Sequence, residues 1–462
     1  MNRSRFSKRT IINAPVEAAF KWHSRPGAIE RLSPPWDSLK VLYRSGGIEK
    51  GAEVTLMMKA GPFPYKWFAR HTEYRENEFF RDEQIKGPFS EWIHTHRFEP
   101  DGNNRCIMED IIEYRLPFHF ASKFITQSII NKKLERIFDY RHKITAHDVF
   151  LHHSNNNVKP MTILISGASG LIGSAIIPFL TTGGHRVIRL VRKPPDNSGD
   201  EIFWDPVSGT LSLDNVGKID AVLHLAGENL DNGRWTKARK KKIIESRVKG
   251  TELVSKAIAA IEDPPEVMLC ASAIGFYGNR GDKVLSEKDG PGDDFISSVC
   301  NNWEKATSPA LEKGIRTVLL RIGVVLTPEG GALQRLLLPF NLCLGGRVGS
   351  GRQYMSWIDM EDVIGAIYHS LTNMDIAGPV NVVSPNTVTN LQFTKSLGRI
   401  LSRPTPFPLP PFVIKLGFGQ MGKEILLSST RVKPEVLIEA GYCFRNHDLD
   451  TSFRQMLGKR EL

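Results

Sequence analysis

Gly167-Ala168-Ser169-Gly170-Leu171-Ile172-Gly173 is the stretch on which the fold turns. An apolar run, Thr162-Ile163-Leu164-Ile165-Ser166, precedes it, and a helix-like segment, Ser174 to Thr182, follows. A second apolar run, Val187-Ile188-Arg189-Leu190-Val191, comes next. Strand, glycine turn, helix and strand in that order open a dinucleotide-binding sheet. Glycines three residues apart let the backbone turn tightly, approach a pyrophosphate and bring the helix against the strand. The unpaired amides and dipole of the helix start then hold the anion. Gly167, Ser169, Gly170, Leu171, Ile172 and Gly173 are therefore expected to line a nucleotide.

Further apolar runs continue the pattern at Asp220 to Gly227, Glu266 to Ala273 and Thr317 to Gly323. Short apolar strands interleaved with helices predict an α/β, Rossmann-like, doubly wound parallel sheet. Ligands of such sheets sit beyond the C-terminal strand ends, so Leu225, Ala226 and Gly227 are expected beneath adenine and ribose. NAD-selective sheets carry Asp or Glu about 20 residues beyond the glycines, to grip the ribose 2′-hydroxyl. Here Arg192-Lys193 stands there, with no carboxylate until Asp196. Two cations attract a 2′-phosphate, so NADP(H) is the expected cofactor.

Residues 1–150 have a different texture. A strand-like Phe6 to Ile12 leads to a helix start at Pro15. Half-alternating segments follow at Leu39–Tyr43, Glu53–Met58, Lys66–Glu73, Glu91–Phe98 and Cys106–Arg115, as an antiparallel meander requires. A long helical pattern from about Phe120 to Ala146 closes this α+β region. Either a filled core or a ligand cavity satisfies its aromatic residues Phe63, Tyr65, Trp67, Phe68 and Trp92. His94 and His96 alternate on one strand, but a metal site needs a third ligand that the spacing does not supply, so no metal is assigned. Residues 151–160 are polar and turn-rich and read as a linker.

A chain of 462 residues exceeds one ordinary core, so two or three domains are expected. No run reaches the roughly 20 apolar residues of a membrane helix, and no signal peptide is visible at the basic start. Cys106, Cys270, Cys300, Cys343 and Cys443 are scattered without CxxC spacing, which points to a reducing cytoplasm. The net charge is +11, densest at Lys237 to Lys242, and reads as a solvated helix face. No nucleic-acid module accompanies it, so no nucleic-acid partner is expected.

The order of elements before residue 150, with Ile12-Asn13-Ala14-Pro15-Val16-Glu17-Ala18-Ala19-Phe20, resembles the helix-grip fold of the START and Bet v 1-like superfamily. It is similar to the polyketide cyclase-like members, which implies a hydrophobic ligand. From about Met161 onward the chain resembles the short-chain dehydrogenase/reductase superfamily, in its atypical "epimerase family protein" subgroup. GASGLIG, HLAGENL (224–230), RWTKARKKKIIESRV (234–248), ASAIGFYGNRGD (271–282), LRIGVVLTPEGGAL (320–333) and GSGRQYMSWIDMEDV (349–363) carry that resemblance. It implies a nucleotide domain over 161–405, a small C-terminal segment over 406–462, and a place for Arg247 near the cofactor phosphates. It also implies oxidoreduction or epimerisation of a small-molecule substrate; a non-catalytic NADP(H)-binding regulator is the alternative.

The superfamily's usual Ser/Thr, Tyr and Lys are missing. Aligned on Glu304, Ile296 and Cys300 occupy the Tyr and Lys places. Tyr277 and Ser272 remain as candidate catalytic hydroxyls, with packing and backbone bonding as their other reading, and Glu228 is a further polar candidate. Gly345 to Gln353 fits either an anion-binding loop or a turn, and Asp359 and Asp362 read as helix caps.

Overall fold

The computed structural model describes residues 3–37, 39–61, 63–116, 123–154, 159–196, 198–214, 216–230 and 233–459. The expected helix start at Phe120, the Phe124 side chain and the linker residues Asn155, Asn156, Asn157 and Val158 lie outside the described residues.

In the first unit, β1 (Ser4–Ile12) is followed by α1 (Val16–Ser24) and α2 (Ala28–Arg31). The strands β2 (Lys40–Ser45), β3 (Glu53–Ala60), β4 (Phe63–Arg75), β5 (Phe79–Lys86), β6 (Glu91–Pro100) and β7 (Cys106–Arg115) then run as a meander. They form a 7-stranded antiparallel sheet in the order β1-β7-β6-β5-β4-β3-β2, which α3 (Lys123–Ser154) crosses. On β7 every second residue is buried, Cys106, Met108, Asp110, Ile112 and Tyr114, so one face meets α3. Phe6 of β1 packs on Phe138 of α3 at 5.6 Å between ring centroids. This is the helix-grip arrangement expected from the sequence. Strand β5 was not expected, and α3 continues to Ser154, into the stretch read as linker.

The second unit begins with β8 (Thr162–Ser166), α4 (Leu171–Thr182), β9 (Arg186–Val191), β10 (Glu201–Asp205), β11 (Thr210–Leu211), β12 (Ala221–His224), α5 (Lys237–Ala260) and β13 (Val267–Ala273). It continues through β14 (Val284–Leu285), α6 (Phe295–Lys305), α7 (Ser308–Glu312), β15 (Arg316–Ile322), β16 (Val324–Leu326), α8 (Gly331–Asn341), β17 (Tyr354–Met355), β18 (Trp357–Asp359), α9 (Met360–Thr372) and β19 (Gly378–Val382). The 8-stranded sheet has the order β11-β10-β9-β8-β12-β13-β15-β19, parallel except at the β10–β11 edge. Its central strands are buried on both faces, which explains their continuous apolar runs. Strand order reverses between β8 and β12, and the glycine turn and Leu225-Ala226-Gly227 meet at that point.

The C-terminal segment is stitched into this second unit. After β20 (Val388–Thr389), α10 (Asn390–Leu401) and α11 (Pro411–Met421), β21 (Arg431–Val432) pairs with β14. Beyond α12 (Glu435–Glu439), Phe453 of α13 (Leu449–Met456) packs on Phe393 of α10 at 5.3 Å.

The units meet along α4. His152, near the end of α3, lies 4.4 Å from the Phe179 ring and is half-buried there. Buried Arg31 grips Asp148 of its own unit through two contacts of 2.7 Å and reaches Glu361 of α9 at 2.6 Å. Burial opposes the charge of Arg31, yet Asp148 and Glu361 hold its pKa well above the ordinary arginine value.

Candidate functional site

The glycine turn has a separate reason for each glycine. Gly167 has φ +73°, and a Cβ there would stand 2.8 Å from the amide nitrogen of Ala226. At Gly173 a Cβ would meet the Gly167 carbonyl oxygen at 2.2 Å, so only glycine brings α4 this close. Gly170 faces open space apart from the Gly167 carbonyl at 3.1 Å. Ser169 and Gly170 are exposed, and Gly170 gives α4 no side-chain cap. The first amides of α4, at Leu171, Ile172 and Gly173, therefore point their unpaired N–H groups toward an accessible surface.

The opposite wall is the end of β12. Ser166 Oγ lies 2.7 Å from His224 Nδ1 and accepts a bond from the Ala226 amide at 3.3 Å. Burial pulls His224 down to about 4, so it stands neutral beneath the turn. Arg192 and Lys193 are exposed directly after β9, beside β8 in the sheet. Arg247 is buried and donates to the carbonyls of Glu228 at 3.0 Å and Ile243 at 3.3 Å. Its guanidinium also covers the Trp303 ring at 4.9 Å, and burial lowers its pKa to about 10. It props the Gly227–Glu228 loop from below. Glu228 is held in an ion pair by Arg239.

On the side where the superfamily carries its reacting hydroxyls, α6 presents apolar packing. Ile296 and Cys300 are both buried, and a Cβ on Gly275 would meet them at 3.1 Å and 3.7 Å. Burial pushes the Cys300 thiol up to about 12, which removes it as a thiolate at neutral pH. Ser272 donates to Glu304 at 2.7 Å, and Glu304 takes the Arg321 guanidinium at 2.9 Å on each oxygen. Arg321 also donates to the Tyr277 hydroxyl at 3.0 Å, and Tyr277 donates to Asn381 at 2.7 Å. The phenol is fully buried and its pKa rises to about 12 because of that burial. Both hydroxyls thus belong to one buried network that ties β13 to β15 and β19.

Asp359 caps α9 by accepting from the Asp362 amide at 2.8 Å, as expected. Asp362 accepts from the amides of Arg445 at 2.7 Å and Asn446 at 3.1 Å. The glycine-rich loop is shaped by close approach, because a Cβ on Gly346 would overlap the Phe407 carbonyl oxygen at 1.7 Å. Its arginines, Arg347 and Arg352, are exposed.

A cavity of about 930 Å³ opens between the units and was not foreseen. Ser169, Gly170 and Leu171 of the glycine turn line it from one side, and Trp36, Arg136 and Tyr140 from the other. No local motif signals it, since it exists only once α3 has docked on the second unit.

Comparison with known proteins divides the chain at similar places. The NAD dependent epimerase/dehydratase family matches residues 163–383, and the family described as polyketide cyclase / dehydrase and lipid transport matches residues 12–136. A domain of unknown function matches residues 409–456. Epimerase family protein Mb2239 of Mycobacterium bovis is 42% identical over 287 residues, covering 62% of this chain and 94% of that protein. Human epimerase family protein SDR39U1 is 34% identical over 300 residues, covering 64% of this chain and 100% of that protein. Among solved structures, a nucleoside-diphosphate sugar epimerase from Corynebacterium glutamicum is similar over 98% of this chain and 90% of its own. Its TM-score is 0.80 at 31% identity. Human SDR39U1 (isoform 2), determined with NADPH, has a TM-score of 0.60 at 33% identity, covering 64% of this chain and 99% of that one.

Proposed function

Because the chain belongs to the epimerase family proteins, with a polyketide cyclase-like domain ahead of the epimerase domain, we propose that it is an NADP(H)-dependent oxidoreductase or epimerase of the atypical short-chain dehydrogenase/reductase kind, acting on a small molecule. The observation that carries this assignment is the uncapped, open start of α4 beside the exposed pair Arg192 and Lys193. The amides of Leu171, Ile172 and Gly173 hold the pyrophosphate, and Gly167 and Gly170 let it approach. Arg192 and Lys193 hold the 2′-phosphate, and Leu225, Ala226 and Gly227 lie along the adenosine. NADPH in the human relative supports the choice of cofactor. When bound, the nicotinamide supplies or accepts a hydride.

Residues 1–150, with the last turn of α3 to Ser154, form the ligand-capturing unit, the remainder up to residue 160 the connection, 161–405 the nucleotide unit and 406–462 the C-terminal segment. The substrate takes the cavity between the units, where linkage keeps it at high effective concentration. Arg136, Glu329 and Tyr140 on its walls favour a ligand that carries polar groups along with the hydrophobic surface expected of a polyketide cyclase-like partner. Arg247 acts as a positioning residue for the loop under the cofactor. Tyr277 and Ser272, bonded to Asn381 and Glu304, serve the scaffold rather than proton transfer.

The buried Ile296 and Cys300 favour a second reading, a protein that binds NADP(H) without turning it over. Purified protein with NADPH, a metabolite extract and a panel of carbonyl and enone compounds separates the two. Steady oxidation of NADPH establishes the enzyme. Tight NADPH binding with no turnover across the panel establishes the binding protein.

A further inference from the structure

The interior of the first unit holds a cluster of imidazoles and carboxylates that the nucleotide chemistry does not use. His94 and His96 lie on the same face of β6, and strand pairing sets Asp82 of β5 opposite His94 and Asp110 of β7 opposite His96. His94 Nε2 bonds Asp110 Oδ1 at 2.9 Å, and His96 Nδ1 lies 2.6 Å from the same oxygen. Each ring therefore turns its other nitrogen toward Asp82. His94 Nδ1 is 3.5 Å from Asp82 Oδ1, and His96 Nε2 is 3.8 Å from it.

Those separations are too long for hydrogen bonds. They suit ligands of one ion, because donors at about 2.0–2.1 Å from a zinc-sized metal stand roughly 3.4 Å apart in tetrahedral geometry. All three donor atoms lie within 4.8 Å of one another. A carboxylate on the far nitrogen of each imidazole is the usual support of a metal-bound histidine. Asp110 provides it for His94 and lies against His96 Nδ1, which makes no hydrogen bond, and Asp110 is itself fixed by His142 Nε2 at 2.7 Å, whose Nδ1 meets Thr10 at 2.8 Å. The Phe80 ring stacks on His96 at 4.2 Å, and Phe138 stands edge-on to His94 at 5.3 Å, so the cluster sits in an apolar shell. The Asp82 side chain is 18% exposed, more than either imidazole. Across β4 and β5, His71 pairs with Asp82, and its Nδ1 is buried without a hydrogen-bond partner.

From this geometry we infer that the first unit is a metal site: Asp82, His94 and His96 hold a divalent first-row ion of the zinc or iron(II) type, leaving a position open for an oxygen-donor ligand. Two imidazoles and one carboxylate with an open position are a donor set used for ligand binding or catalysis rather than for a closed structural site.

The test uses the full chain, stripped with a chelator and shown to bind NADPH before and after. Cobalt(II) titration should give about one equivalent per chain with visible ligand-field bands, and zinc should displace it. Asp82→Asn and His96→Gln should each lose about a hundredfold or more in cobalt affinity, and Asp110→Asn about 10–100-fold, with NADPH binding unchanged. On the wild-type chain alone, cobalt should shift the exchangeable imidazole N–H proton signal of His94, which Asp110 holds. Binding below a tenth of an equivalent, wild-type affinity in Asp82→Asn, or cobalt binding without a shifted imidazole signal would each overturn the site.

Discussion

The glycine turn and the imidazole–carboxylate cluster sit in the two halves of one chain and are built in opposite ways. The turn is a backbone device: Gly167, Gly170 and Gly173 shape it within a few residues, and the amides of α4 are its proposed binding groups. In the cluster, chemistry is carried by side chains from β5, β6, β7 and α3 that converge only when the register is set. A local backbone device survives changes in its surroundings, whereas a convergent one depends on every strand that delivers a ligand.

Acid should expose how far the turn depends on what lies under it. Burial holds His224 and His185 down to about 4, below the ordinary value of 6.5. His152, at the junction, is lowered to about 3 by the same cause. A depressed histidine stabilises the fold fully above the unfolded value, and that contribution is lost as pH falls from 6.5 toward the folded value. Each costs about 1.4 kcal/mol per pH unit in that window, so together they amount to several kcal/mol. Thermal melting followed against pH should be flat above pH 7 and fall steeply below 6.5, and His152→Leu should flatten the fall. A melting temperature unchanged between pH 7 and 5 would break this account of the buried imidazoles.

The next largest effect belongs to Arg31, which joins the two regions. Arg31→Ala strips Asp148 of its buried partner and should cost about 3–5 kcal/mol in denaturant unfolding. It should also separate the unfolding of the two units into distinct transitions. A single transition at the wild-type midpoint would show that the ion pair does not couple them.

Gly173→Ala tests the backbone device alone. The added methyl meets backbone oxygen, so NADPH affinity should fall about a hundredfold, roughly 3 kcal/mol, while cobalt binding in the first unit persists. Retained NADPH affinity would break the contrast. Tyr277→Phe should be milder, removing the two buried hydrogen bonds of its hydroxyl at about 2 kcal/mol in all, with turnover unaltered. A collapse of turnover at preserved stability would return Tyr277 to catalysis.

The sequence-to-structure record follows the same division. The strand–glycine–helix unit and the small residues after β12 were legible because each rests on local spacing, and the missing Tyr and Lys places because of the family resemblance aligned on Glu304. Strand β5 was missed because Phe79–Lys86 carries Arg81, Asp82, Glu83 and Lys86 and shows no clean alternation in burial. With β5 went the third metal ligand. The linker expectation failed at Leu151–Ser154 because α3 runs on to Ser154 and packs His152, half-buried, against Phe179. Arg247 is expected near phosphate, and the structure adds that its Nη1 donates to the carbonyls of Glu228 and Ile243. Contacts that form only on folding decided each of these cases.

The cofactor assignment is tested most directly by titrating wild-type protein and Arg192→Asp with NADPH and NADH under the same salt. Wild type should bind NADPH at least about tenfold more tightly than NADH, and the substitution should abolish that preference by weakening NADPH selectively. Equal affinity for both nucleotides in the wild type, or an equal loss of both in Arg192→Asp, would contradict a 2′-phosphate site at the end of β9.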